Sequence, residues 1–246
     1  MAESPLYKLG RLAGSKARKA RWVWNSLAGN ETEAIRAEYG VGRDMAAVVR
    51  EQRSAPTQST LHPQLVETLT RLAAVVRNKH SRFEVEVVVD EQPTAYALPG
   101  GFVFVTESLA AMCERDDDEL AFVIGHEMAH VIRRHAINRV LRQTAYSAAS
   151  MLTPGRGVIA PWLRQIGLEW LEKAYSRDHE FEADELGARL ARAAGFDPEG
   201  AIRLFSRFQQ RELREPPSSV STYQASPPPV KARILSLKHL SEHTRP

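Results

Sequence analysis

The sequence predicts an α+β fold, dominated by helices, with a small β-sheet beside one long buried helix. Three observations predict it. Apolar residues recur three and four apart over much of the chain, as in Leu65, Leu69, Leu72, Val75 and Val76. The β-branched stretch Glu84-Val-Glu-Val-Val-Val89 reads as a strand, and a second follows the Pro-Gly-Gly turn within Tyr96-Ala-Leu-Pro-Gly-Gly-Phe-Val-Phe-Val-Thr106. Finally, Leu120, Phe122, Val123, Ile124, Val131 and Ile132 crowd a single helical segment.

Taken in order, residues 31–53 read as a helix rich in Ala and charge, and residues 54–63, with two prolines, as a linker. A helix runs on from Leu61, and the two strands follow it. The long apolar helix begins at Asp116, whose carboxylate caps the free amides while Glu119, three residues on, completes a capping box. Further helices are expected at 158–175, 176–194, 198–212 and 230–240, with an irregular Pro-rich loop over 216–229. The expected division is a basic helical extension and linker at 1–60 and one domain at 61–246.

The bulk numbers narrow the choices. A chain of 246 residues with 43% hydrophobic and 26% charged residues is an ordinary globular composition. The net charge is only +3, so the isoelectric point near 9.1 rests on a small surplus. Basic residues are mostly interleaved with acids and no nucleic-acid-binding motif is present, so no nucleic-acid partner is expected. Cys113 stands alone, which excludes an intramolecular disulfide and a thiolate metal cluster. Any metal must be held by His and carboxylates.

No secretory leader is read at the N-terminus, and no apolar run approaches the roughly 18–20 residues of a membrane helix. A soluble, cytoplasmic protein is expected. Residues 4–30 carry Lys8, Arg11, Lys16, Arg18, Lys19 and Arg21 without an acid, and Trp22 and Trp24 among them. Two readings stay open: a solvated helix packed back on the domain, or peripheral contact with an anionic membrane surface through residues 1–30.

The chemistry centres on His126-Glu127-Met128-Ala129-His130. Residues four apart on a helix differ by about 40° around the axis, so both imidazoles leave one face and can share a tetrahedral metal. Glu127 lies one step round, within reach of a metal-bound water. Gly125 and Ala129 are small enough to admit a close neighbour. The competing reading, a core helix with incidental histidines, would bury two imidazoles and a carboxylate without partners, which is costly.

A catalytic zinc site needs a third protein ligand. The extended pattern H-E-x-x-H-x-x-G-x-x-H is not met, because Arg133 and Ala136 occupy its Gly and third His positions. His135 misses by one and would sit about 180° from His126 on a continuous helix, as an exposed histidine. The segment Ser176-Arg-Asp-His-Glu-Phe-Glu-Ala-Asp184 supplies a different solution. Glu180 and Asp184 share a face. Glu180 can bind the metal while Asp184 accepts the outer N–H of a ligand imidazole. Glu182 should point away, and Asp178 and His179 should be solvated.

The paired motifs resemble the zinc metallopeptidase family that contains HtpX and the CAAX prenyl-protein proteases, gluzincins with an E-x-x-x-D second motif. The stretches Ala95-Tyr-Ala-Leu-Pro-Gly-Gly-Phe-Val-Phe-Val-Thr106 and Ala194-Gly-Phe-Asp-Pro-Glu-Gly-Ala201 are similar to that family's as well. The resemblance covers roughly residues 61–212. It implies one Zn2+ per chain at His126, His130 and Glu180, Glu127 as general base and acid, and Asp184 behind a ligand. It also implies that Gly101, Phe102, Val103, Phe104 and Val105 align an extended substrate as an added strand at the sheet edge. One departure matters. Arg233-Ile-Leu-Ser-Leu237 matches the family's R-I-x-x-L run, but the histidine usual six residues earlier is Pro227. Tyr223 and Arg177 are the residues left to stabilise an oxyanion. The membrane helices of some members are absent from the sequence, so prenyl-peptide processing is not expected.

The function expected is peptide-bond hydrolysis on a peptide or an unfolded or misfolded protein. Zinc lowers the pKa of bound water towards about 7, Glu127 takes its proton, and the attack on the scissile carbonyl follows. The alternatives are a zinc-containing, chaperone-like or latent protease gated by the Pro-rich loop, and a membrane-surface adaptor built on residues 1–30.

Overall fold

The computed structural model describes residues 31–55, 60–78, 81–148, 163–165, 167–172, 175–214 and 228–243. The basic segment 1–30, most of the Pro-rich loop and Tyr223 lie outside the described residues. The elements, in order, are α1 (Glu31–Gln52), α2 (Leu61–Val75), β1 (Glu84–Val88), β2 (Ala95–Leu98), β3 (Phe102–Thr106), α3 (Glu107–Met112), α4 (Asp117–Ile132), α5 (His135–Ala148), α6 (Glu169–Glu172), α7 (Arg177–Ala193), α8 (Glu199–Arg214) and α9 (Val230–His243). This is the expected helix-dominated α+β fold.

The sheet has the order β1-β3-β2. β1 runs parallel to β3, with Glu84 opposite Phe102, and β2 runs antiparallel to it, with Ala95 opposite Val105 and Leu98 opposite Phe102. The Pro-Gly-Gly segment is thus a hairpin turn between two strands rather than the lead-in to one. Gly100 and Gly101 adopt φ of 78° and 96°, and a Cβ on Gly101 would meet the Arg82 carbonyl at 1.8 Å. Because β3 is paired on both sides, Gly101, Phe102, Val103, Phe104 and Val105 cannot take up a peptide as an added strand. That expectation is corrected: among the described residues the outer strands of the sheet are β1 and β2.

Alternation along β3 divides the interior. Val103 and Val105 join Val85, Val87, Ala95 and Ala97 in a core shared with α2 and α4. Phe102 and Phe104 point the other way, into a second core with Tyr96, Leu98 and the α1 residues Val41, Met45 and Val49. Each buried phenylalanine contributes about 1.5–3 kcal/mol relative to exposure. The helix read as part of an N-terminal extension therefore covers one face of the sheet.

α4 runs through the middle of the molecule, and every residue from Glu119 to His130 is buried. Its N-terminus is capped as expected: Asp116 Oδ1 accepts from the backbone N–H groups of Asp118 and Glu119, both at 3.0 Å. The capping box is not completed. Glu114 and Arg115 take left-handed φ of 51° and 58°, which directs the Asp116 N–H to the Cys113 carbonyl at 2.9 Å. Glu119 instead accepts a 3.0 Å bond from Arg207 Nε and ties α8 to α4.

The closest partner of α4 is α7. They meet at Gly125 and Gly187, where a Cβ on Gly187 would lie 2.7 Å from His126 N and one on Gly125 would lie 2.9 Å from the Gly187 carbonyl oxygen. Backbone touches backbone there, which only two glycines allow. The helix expected at 158–175 is interrupted, within the described residues, by Gly167 at φ 80°, leaving the short α6.

Candidate metal centre

α4 carries His126 and His130 one turn apart, with their Nε2 atoms 3.1 Å from each other. α7 brings the third group. Ser176 caps that helix, its Oγ accepting from His179 N at 3.4 Å, so Glu180 falls in the first turn and faces α4. Glu180 Oε2 lies 3.5 Å from His126 Nε2, and Oε1 lies 3.9 Å from His130 Nε2. All three are buried, and their ligand atoms fall within 4.8 Å of one another.

The spacing can be tested against a metal. Bonds of about 2.1 Å at tetrahedral angles put ligand atoms about 3.4 Å apart. The separations of 3.1, 3.5 and 3.9 Å bracket that value. Two imidazoles and one carboxylate suit a borderline dication and leave a fourth position for water or substrate. Glu127, next to His126, is buried as well, at 3% exposure.

The groups behind the ligands differ for the two histidines. His126 Nδ1 is 3.0 Å from Asp184 Oδ1. Asp184 is in turn held by a fork from α9: Arg233 Nε donates to Oδ2 at 2.7 Å and Nη2 to Oδ1 at 2.6 Å. Arg233 Nη2 also lies 3.4 Å from Glu180 Oε2, and its guanidinium covers the Phe205 ring at 4.4 Å. Arg233 is 0% exposed. Sequence reasoning noted its motif but not this role. The available signal was its place at the head of the R-I-x-x-L run.

His130 meets a different partner. Its Nδ1 lies 3.1 Å from His135 Nδ1, and His135 Nε2 lies 3.2 Å from Glu182 Oε2. His135 is therefore 4% exposed, which corrects the expectation of an exposed histidine. The extrapolation failed because α4 stops at Ile132 and Arg134 turns the chain with φ 62°, so α5 starts afresh at His135. Glu182 does leave the Glu180 face, as expected, and Arg133 Nε donates to it at 2.9 Å. His179 is partly buried rather than fully solvated, stacking on His135 with ring centroids 4.0 Å apart, while Asp178 is exposed.

Tyr175, which sequence reasoning missed, stacks on the His130 ring at 4.0 Å and 19°. Its backbone N–H donates to Glu180 Oε1 at 3.2 Å. Arg139 of α5 lies against both Trp170 and Tyr175, at 4.4 and 4.9 Å, and donates to the Trp170 carbonyl. Arg177 is exposed, with its guanidinium 5.7 Å from the centre of the Phe181 ring. Tyr223 lies outside the described residues.

Charge at the centre is strongly coupled. Burial alone would lower the His126 pKa, but the carboxylates of Asp184 and Glu180 overcome it and raise the value to about 9. Burial pushes Glu180 up, and His126, Arg233 and His130 bring it down to about 2. His130 falls well below its ordinary value through burial and the charge on His126. Asp184 is also held low, with the Arg233 fork prevailing over burial. Burial pushes the Tyr175 phenol up to about 12. Without a metal, His126 therefore carries a second ring proton, which a cation at that place must displace.

Comparison with known proteins agrees with this geometry. The sequence model of Peptidase family M48 matches residues 59–241, which is 183 of the 246 residues. The chain is 35% identical over 148 residues to the mitochondrial metalloendopeptidase OMA1 of Schizosaccharomyces pombe, covering 58% of this chain and 43% of that protein. It is 33% identical over 135 residues to the protein of the same name from Saccharomyces cerevisiae, covering 53% and 38%. It is 27% identical over 191 residues to the beta-barrel assembly-enhancing protease of Yersinia pestis, covering 71% and 39%. The chain thus spans less than half the length of these curated relatives.

Proposed function

The chain belongs to peptidase family M48, and on that premise we propose that it is a zinc-dependent endopeptidase acting on extended segments of peptides or unfolded proteins. The observation that carries this reading is the buried cluster of His126, His130 and Glu180, with Glu127 beside it on α4. His126, His130 and Glu180 would hold the ion. Zinc, when bound, lowers the pKa of a coordinated water and polarises the scissile carbonyl.

The chain's own residues do the rest. Glu127 takes the proton from the attacking water and delivers it to the leaving amine. Asp184 holds His126 by its outer nitrogen, so that Nε2 presents its lone pair to the ion. Arg233 keeps Asp184 in place and offsets the charge of Glu180. The buried walls of α4 and α7 exclude bulk water, which strengthens each of these interactions.

The test is metal analysis joined to cleavage of a peptide library, comparing the wild-type chain with Glu127→Gln. We expect one zinc per chain in both and cleavage only in the first. A variant that cleaves as fast as wild type would remove Glu127 from the chemistry. A wild-type chain that holds zinc but cleaves nothing would point to a latent or chaperone-like protein. No helix among the described residues is long and apolar enough to cross a membrane. For residues 1–30 we propose peripheral contact with an anionic membrane surface, which liposome sedimentation before and after their deletion would test.

A further inference from the structure

We propose that His135 is the positioning residue for the metal ligand His130, fixing its ring through a one-directional chain of protons that ends at Glu182. The proposal rests on the reading of His126, His130 and Glu180 as a metal site. In that site the Nε2 atom of His130 faces the other two ligands, at 3.1 Å from His126 Nε2 and 3.9 Å from Glu180 Oε1. Its lone pair must point at the ion, so the ring proton sits on Nδ1. The atom facing that proton, at 3.1 Å, is Nδ1 of His135.

Two ring nitrogens in contact cannot both carry hydrogen. His135 must therefore accept at Nδ1 and hold its own proton on Nε2, where Glu182 Oε2 waits at 3.2 Å. Glu182, acceptor-only when ionised, suits that proton, and the Arg133 guanidinium donates to its other oxygen at 2.9 Å. Every link then has one donor and one acceptor, and the reverse arrangement would put the His130 lone pair on the wrong side of its ring.

The imidazole is also enclosed. His135 is 4% exposed and stacks on His179, while Tyr175 lies flat on the other ring of the pair, His130. The two ligands of α4 are thus oriented by unlike devices: a carboxylate locked by a buried arginine for His126, and a neutral imidazole reaching to a half-exposed carboxylate for His130. Loss of such an outer partner costs about 10–100-fold in metal affinity.

The experiment is zinc affinity by chelator competition, with urea unfolding of the zinc-free protein measured alongside. His135→Leu removes the acceptor and should weaken zinc binding by about 10–100-fold. His135→Asn puts an amide oxygen near the place of Nδ1 and should restore most of that loss. The wild-type affinity in His135→Leu, or an Asn variant as weak as the Leu variant, overturns the proposal. Should the Leu variant not fold, Glu182→Ala decides at the half-exposed end of the chain: it should weaken zinc in the same direction, and an unchanged affinity overturns the assignment. A wild-type protein that binds no zinc at all would instead defeat the metal-site reading, a result distinct from a zinc-binding protein indifferent to His135.

Discussion

Substituting alanine for Gly187 adds one methyl group at the crossing of the two helices that carry the ligands. Its Cβ would lie 2.7 Å from His126 N, 2.9 Å from His126 Cα and 3.0 Å from Gly125 C. Relief to an ordinary contact needs α4 and α7 to part by about 0.7 Å, and overpacking of this kind costs about 1–3 kcal/mol. The intrinsic gain of alanine over glycine in a helix returns about 0.5–1 kcal/mol, so the net loss should be about 0–2.5 kcal/mol. The metal site lies on the same crossing. A shift of that size carries Asp184 Oδ1 from 3.0 Å to beyond hydrogen-bonding reach of His126 Nδ1 and exceeds the roughly 0.2 Å tolerance of metal–ligand distances. Zinc affinity should fall about 10–100-fold. The assays are urea unfolding of the zinc-free protein and chelator competition. Gly40 provides the control: it sits inside α1 with nothing within 4 Å of a Cβ, so Gly40→Ala should stabilise by about 0.5–1 kcal/mol. If Gly187→Ala behaved like Gly40→Ala and bound zinc as tightly as wild type, the backbone crossing would not set the site.

Other substitutions separate the roles within the centre. Glu127→Gln should bind a full equivalent of zinc yet lose about 10²–10⁴-fold in turnover, measured on one defined peptide. Glu180→Ala should lose zinc by elemental analysis, and an undiminished equivalent would strike Glu180 from the ligands. Arg233→Met leaves the buried Asp184 and Glu180 with His126 as their one remaining cationic neighbour among the described residues and should destabilise the fold by about 3–5 kcal/mol in urea. With no metal, His126 is raised from 6.5 to about 9, so its contribution to stability is complete below pH 6.5 and lost as pH rises through 9. Glu180 is depressed from 4.5 to about 2, so its contribution is present above the ordinary carboxylate range and lost as pH falls through 2. Zinc must displace the His126 proton at pH 7, and its affinity should climb about tenfold per pH unit towards 9. Calorimetric heats that do not vary with buffer ionisation enthalpy would contradict that proton release.

What could be read from the sequence was local. The i, i+4 spacing of His126 and His130, and that of Glu180 and Asp184, places side chains on a helix face whatever surrounds the helix. The cap at Asp116 is equally local. What escaped depended on turns and distant partners. His135 was misplaced because a left-handed arginine at 134 ended the helix, and non-glycine residues give little warning of that conformation. β2 is four residues long, too short to stand out from the turn that follows it. Its pairing with β3 is what takes β3 away from the sheet edge that the family resemblance implied. Arg233 lies 49 positions from Asp184, and no periodicity in α9 tells which carboxylate a buried cation will meet. The partnership of Gly125 with Gly187 is of the same kind, visible only when two helices are laid together.

The buried fork from Arg233 has a consequence for how the protein is made. A ribosome releases His126 and His130 first, then Glu180 and Asp184, and the guanidinium that steadies both carboxylates only after some fifty further residues. Until α9 docks, two carboxylates lack their buried counter-charge and His126 lacks a fixed backing. A nascent chain therefore presents the candidate metal ligands before the guanidinium that steadies them, and the centre is complete only once α9 has docked.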